Sequence, residues 1–109
     1  MRTLHHPNRE DISLSAVLYA LSDPIRLRVI EKLAANGEQA CGNFGIAIPK
    51  PTLSHHFKVL REAGLIQIRL EGTQRINSLR RQDLDTRFPG LLDAVLQASN
   101  SLEGLGIRD

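Results

Sequence analysis

The sequence predicts a mainly α, α+β fold of about five helices with one two-stranded β-hairpin. Three observations carry this. Apolar residues recur at spacings of three and four along most of the chain. Between Leu65 and Leu79 that period changes to alternation. Helix punctuation, in Asp23-Pro24, Asn36-Gly37 and Ala63-Gly64, separates the segments.

In order, Ile12, Leu14, Val17, Leu18 and Leu21 place a first helix over 12–21. Asp23 suits an N-cap and Pro24 the first helical position, where its missing N–H is no loss. Ile25, Val29, Ile30 and Leu33 then form one apolar face, with Arg26, Arg28 and Lys32 off it, until Asn36-Gly37 stops the helix. The Gly-rich "EQACGNFGIAIPK" is read as a short helical turn over 38–46. Residues 50–63 form a clearer helix. Leu53, His56, Phe57 and Leu60 share one side, and Pro51, Ser54, His55, Lys58 and Glu62 the other. Ile66, Ile68 and Leu70 then alternate with Gln67, Arg69 and Glu71 up to the turn Glu71-Gly72-Thr73-Gln74. A second strand follows to Leu79, closing the hairpin. Phe88, Leu91, Leu92, Val95, Leu96, Ser99 and Leu102 mark a terminal amphipathic helix, with Pro89 near its start.

At 109 residues the chain holds one domain. It divides into a flexible N-terminal segment (1–11), the folded domain (12–103) and a short tail (104–109). No apolar run approaches the roughly 20 residues that cross a bilayer, and the first residues lack the apolar stretch of a secretory signal. A cytoplasmic location without membrane contact is expected. The single cysteine, Cys41, excludes an internal disulfide and a multi-cysteine metal cluster. Charge is uneven. Residues 49–81 hold seven bases and two acids, net +5, and the remainder holds seven bases and ten acids, net −3. A basic block in an acidic remainder marks a face for a polyanion.

Helix, turn, helix, then hairpin is the order of a winged helix-turn-helix, whose second motif helix enters the DNA major groove. The motifs "LSDPIRLRVIEKLA", "PTLSHHFKVLREAGLI" and "EGTQRINSL" resemble the ArsR family of winged-helix regulators over residues 12 to 98. The resemblance implies a bacterial, homodimeric transcription regulator, most often a repressor, that leaves its operator when a signal arrives. It also implies dimerisation through the first and last helices. Their apolar stripes exceed what a small winged core needs, so Leu14, Val17, Leu18, Leu91, Leu92, Val95, Leu96 and Leu102 are assigned to that seam. The chain departs from the family's metal-sensing pattern. It has one cysteine before the reading helix and no histidine on the last helix.

The candidate DNA contacts on the reading helix are Lys50, Pro51, Thr52, Ser54, His55 and Lys58. Hydroxyls donate to phosphate or base edges, and Lys58 offers a point charge to phosphate or guanine. Thr52 could instead cap the helix, and His55 could be merely exposed. In the wing the candidates are Arg69, Thr73, Gln74 and Arg75, with Arg80 and Arg81 read as plain surface charges. Arg61 is read as solvated or paired within its helix. His55 and His56 are adjacent, face different ways and cannot easily chelate one ion, because helical ligand pairs are four residues apart. His56 is assigned to packing. Cys41 is either a small buried hydrophobe or a sensor of oxidants, adducts or metal, with His5 and His6 as candidate helpers.

The expected partner is double-stranded DNA carrying an inverted-repeat operator, with a small inducer as a candidate effector and no cofactor or resident metal. A thiol enzyme would need a CxxC or a partnered base, so the chain is not expected to be an enzyme. A winged protein-interaction module without specific DNA binding remains the alternative, alongside the Cys41 sensor.

Overall fold

The computed structural model describes the backbone of residues 4–104 and side chains through Asn100. Five α-helices, α1 (Leu14–Leu21), α2 (Pro24–Asn36), α3 (Lys50–Glu62), α4 (Arg81–Arg87) and α5 (Leu91–Gly104), surround a small sheet. Its strands are β1 (Gln39–Ala40), β2 (Ile66–Glu71) and β3 (Gln74–Leu79), antiparallel in the order β1-β3-β2. No helix among the described residues is long and apolar enough to cross a membrane.

The helix starts follow capping chemistry. The Ser13 hydroxyl accepts from the Ala16 N–H at 3.2 Å, and the Asp23 carboxylate accepts from the Arg26 N–H at 3.1 Å. The first helix therefore begins at Leu14 rather than Ile12. Ile12 instead turns into the core at 1% exposure, beside Leu60, Leu65 and Ile66. At the end of α3 the Leu65 N–H donates to the Leu60 carbonyl and the Gly64 N–H to that of Arg61. With Gly64 at φ 89°, this is the Schellman closure. The hairpin turns on Gly72-Thr73, where only Gly72 has positive φ, the type II′ arrangement that matches strand twist.

Three elements differ from the sequence expectation. The segment expected as a helical turn is β1 followed by a single 3-10 turn over Cys41–Asn43. β1 pairs with β3, Gln39 opposite Asn77 and Ala40 opposite Ile76, so the hairpin gains a third strand. Asn77 has 0% exposure, and its amide donates to the Gln39 carbonyl and to Cys41 Sγ. That side chain fixes the segment as a strand, and a Gly-rich stretch gives no periodic warning of it. The helix α4 was not foreseen either, because its seven residues are polar apart from Leu84. The stretch before α1, expected to be flexible, lies along the domain from Leu4 onward. Arg61 donates to the His5 carbonyl at 2.5 Å, the Ile68 N–H to His6 Nε2 at 3.0 Å and Arg80 to the Pro7 carbonyl at 2.7 Å. Arg80 is thus no plain surface charge. It sits almost enclosed, joining Pro7 to Asp83.

His6 closes the free edge of the sheet by accepting from Ile68 on β2, the outer strand. Burial, and then the positive charges of Arg61, Arg80 and His5, hold its pKa below the usual 6.5, with the Leu4 backbone opposing. The unfolded chain therefore takes up a proton first as the pH drops, and stability falls once the pH goes below about 6.5. Melting temperatures between neutral and mildly acid pH are expected to decline, and His6→Gln to flatten that decline. An identical pH profile for both proteins would remove His6 as the cause.

Candidate nucleic-acid interface

The helix α3 lies outward because its apolar side, Leu53, Phe57 and Leu60, is spent on the core. Phe57 packs on Phe44 with ring centroids 5.3 Å apart. Lys50, Pro51, Thr52, Ser54, His55 and Lys58 are all exposed, as expected. Pro49 precedes the helix without any side-chain cap, and its first turn holds no acid. Thr52 is therefore not the cap, and the helix presents its positive end bare.

Between α3 and the hairpin runs an open cleft of about 690 Å³. Lys50, Ser54 and Lys58 line one wall, and Thr73, Gln74 and Arg75 line the other. Arg61 joins them, its guanidinium donating to the His5 carbonyl. Among the described residues, no carboxylate lines the cleft. Lys50, Lys58 and Arg75 form no ion pair among the described residues. Several other arginines face carboxylates: Arg9 and Arg80 share Asp83, Arg69 pairs with Glu38 and Glu71, and Arg81 with Asp85 and Asp93. Bonding to Arg69 lowers the pKa of Glu38, and bonding first to Arg9 and then to Arg80 lowers that of Asp83. Of the ten predicted contacts, six line the cleft. Pro51, Thr52 and His55 lie on the outer face of α3, and Arg69 is engaged by its two acids.

The adjacent histidines divide as their spacing implies, with ring planes at 52° to each other. His56 is half-buried and its Nδ1 lies 3.2 Å from the Arg26 guanidinium. Arginine has no acceptor, so Nδ1 accepts and the network assigns the ring proton to Nε2. Asp23 is 3.8 Å from the same nitrogen, too far for a hydrogen bond, so the Arg26 contact governs.

Arg26 overturns its reading as an off-face residue. It is only 6% exposed. Its Nε donates to the Ala20 carbonyl at 2.7 Å and its Nη2 to the Tyr19 carbonyl at 3.2 Å, while its guanidinium stacks 5.2 Å from the Tyr19 ring. These carbonyls belong to the last turn of α1, where the Tyr19 carbonyl also accepts from the Ser22 N–H and hydroxyl. One side chain therefore joins α1, α2 and α3. Its place three residues after the Asp23 cap was the available signal.

Around α1, Leu14 and Leu18 are 47% and 46% exposed and Tyr19 is 64% exposed. Leu91, Val95 and Leu96 on α5 are half-buried. Val17 and Leu92, assigned to the seam from sequence, are instead in the core, where they meet Leu21, Leu65 and Leu84. Both face inward from their helices while their neighbours face out. The side chain of Leu102 lies outside the described residues. Cys41 is half-buried at the edge of the cleft, neither a core residue nor fully open.

Residues 21–69 match the model of a helix-turn-helix domain family. The chain is 38% identical over 89 residues to the uncharacterised HTH-type transcriptional regulator YceK of Bacillus subtilis, covering 79% of this chain and 89% of that one. It is 36% identical over 73 residues to the arsenical resistance operon repressor of Staphylococcus xylosus, covering 66% and 70%. The crystal structure of the transcriptional repressor BigR from Xylella fastidiosa superposes with a TM-score of 0.62 at 27% identity, covering 94% of this chain and all of that one. The chain belongs to the ArsR family of winged-helix transcriptional regulators. In this ArsR-family regulator, α2 and α3 form the helix-turn-helix and the β2–β3 hairpin is the wing.

Proposed function

We propose that this regulator is a homodimeric repressor that grips an inverted-repeat operator with α3 and the wing, and releases it on a cellular signal. The carrying observation is the cleft, where Lys50, Lys58 and Arg75 stand together without acids, whereas Arg69 and Arg81 each hold two carboxylates. Relatives named as repressors support the direction of regulation. The exposed Leu14, Leu18 and Tyr19 support a second copy seated on α1 and α5, which would set two reading helices roughly 34 Å apart along the duplex. Lys50, Ser54, Lys58 and Arg75 approach phosphates and base edges, and Thr73 and Gln74 follow the flanking backbone. Pro51, Thr52 and His55 face the groove floor.

The test is fluorescence anisotropy with duplex from upstream of the regulator's own gene, with and without excess random DNA, over a range of salt. Binding is expected to resist competitor and to weaken steeply with salt as counterions return. Lys58→Ala should lose roughly tenfold in affinity and lower the log–log salt slope by about 1. Equal affinity for Lys58→Ala and wild type would refute the assignment of this face.

A further inference from the structure

The cleft has a second character that a phosphate backbone does not use. Its lining includes the apolar Leu53, Phe57 and Ile68, the last two mostly buried, beside the exposed Lys50, Lys58 and Arg75. Its volume, about 690 Å³, falls in the range of small-molecule sites, roughly 300–1,000 Å³. The Phe57 ring is held in place by Phe44, and Ile68 is fixed in β2 beside His6, so the wall is preformed. We propose that this cleft is also a binding site for a small amphipathic organic anion, an aromatic or branched body carrying one carboxylate, sulfonate or phosphate. The apolar body would lie against Phe57 and Leu53, and the anionic head would meet Lys58 and Arg75. Such a ligand occupies the space between reading helix and wing, so it and DNA exclude each other. This rests on the reading of the cleft as the DNA-facing surface, and gives that surface a competing effector.

Anilinonaphthalene sulfonate is the probe, titrated by its fluorescence into the full chain. The expected result is saturable binding of about one dye per chain, displaced by duplex DNA at low salt. Lys58→Gln and Arg75→Gln should each weaken it about five- to tenfold, and Arg28→Gln, on the exposed face of α2, should not. Phenyl-naphthylamine, the same rings without the sulfonate, should bind much more weakly. Absence of saturable binding overturns the proposal, as does equal binding of the neutral analogue. Binding lost in Leu18→Ser but kept in Lys58→Gln overturns it too, because the dye would then sit on α1. Dye binding that depends on Lys58 and Arg75 but resists duplex supports the anion site while refuting DNA contact there. Duplex binding without dye binding refutes the anion site alone.

Discussion

Gly64→Ala is expected to destabilise the domain by about 3 kcal/mol, which for a chain of this size lowers the melting temperature by roughly 10–20 °C. Two effects add. The residue holds φ 89°, which costs an L side chain about 1–2 kcal/mol. A Cβ there would also stand 2.6 Å from Ile12 Cγ1 and 2.8 Å from its Cδ1, inside a core where Ile12 cannot retreat. Gly45→Ala separates them, since Gly45 has φ 65° but open space around it. It should lose only the backbone part, about 1 kcal/mol. Equal melting points for the two variants would show that Ile12 yields without penalty.

The second large effect is at Arg26. Arg26→Ala strips the Ala20 carbonyl of its donor and leaves His56 Nδ1 unpartnered, while the Tyr19 carbonyl keeps the Ser22 N–H and hydroxyl. Losing buried polar partners of this kind costs about 2–4 kcal/mol, measurable as a lower midpoint in urea. Arg26→Lys should not restore it. A single ammonium does not reproduce a planar fork that meets two carbonyls and an imidazole at once. Wild-type stability in Arg26→Lys would mean that only the positive charge matters.

Much of this was legible in the sequence. The apolar periods of α2 and α3, the Asp23 cap, the Gly64 stop and the Gly72 turn each arise from local chemistry, and each lies where that chemistry puts it. What stayed hidden depends on partners distant in sequence. β1 is held by pairing with β3 and by Asn77, 38 residues beyond Gln39, which donates to the Gln39 carbonyl. Arg26 reads as a surface base until α1 and α3 close over it, and Arg80 until Pro7 and Asp83 do. A helical period gives the apolar stripe but not which edge of it the monomer itself consumes. Val17 and Leu92 went to the core, and Leu14 and Leu18 did not. The cleft was legible as six of its residues. Arg61 was missed because its neighbours in sequence offered acids that it does not use.

The uneven pairing of arginines bears on how the protein finds DNA. A body covered in free positive charge would stick to a duplex in any orientation and would then have to roll to present its reading helix. Here Arg69 and Arg81 each face two carboxylates, and Arg9 and Arg80 share Asp83. Lys50, Lys58 and Arg75 stand together without ion pairs among the described residues, so the strip between α3 and the wing carries a local excess of positive charge. If α3 and the wing hold the duplex as proposed, a chain drifting toward DNA would be turned before it touches, with that strip inward. The rotational part of the search would then be done in solution, and sliding would begin from an orientation already able to read.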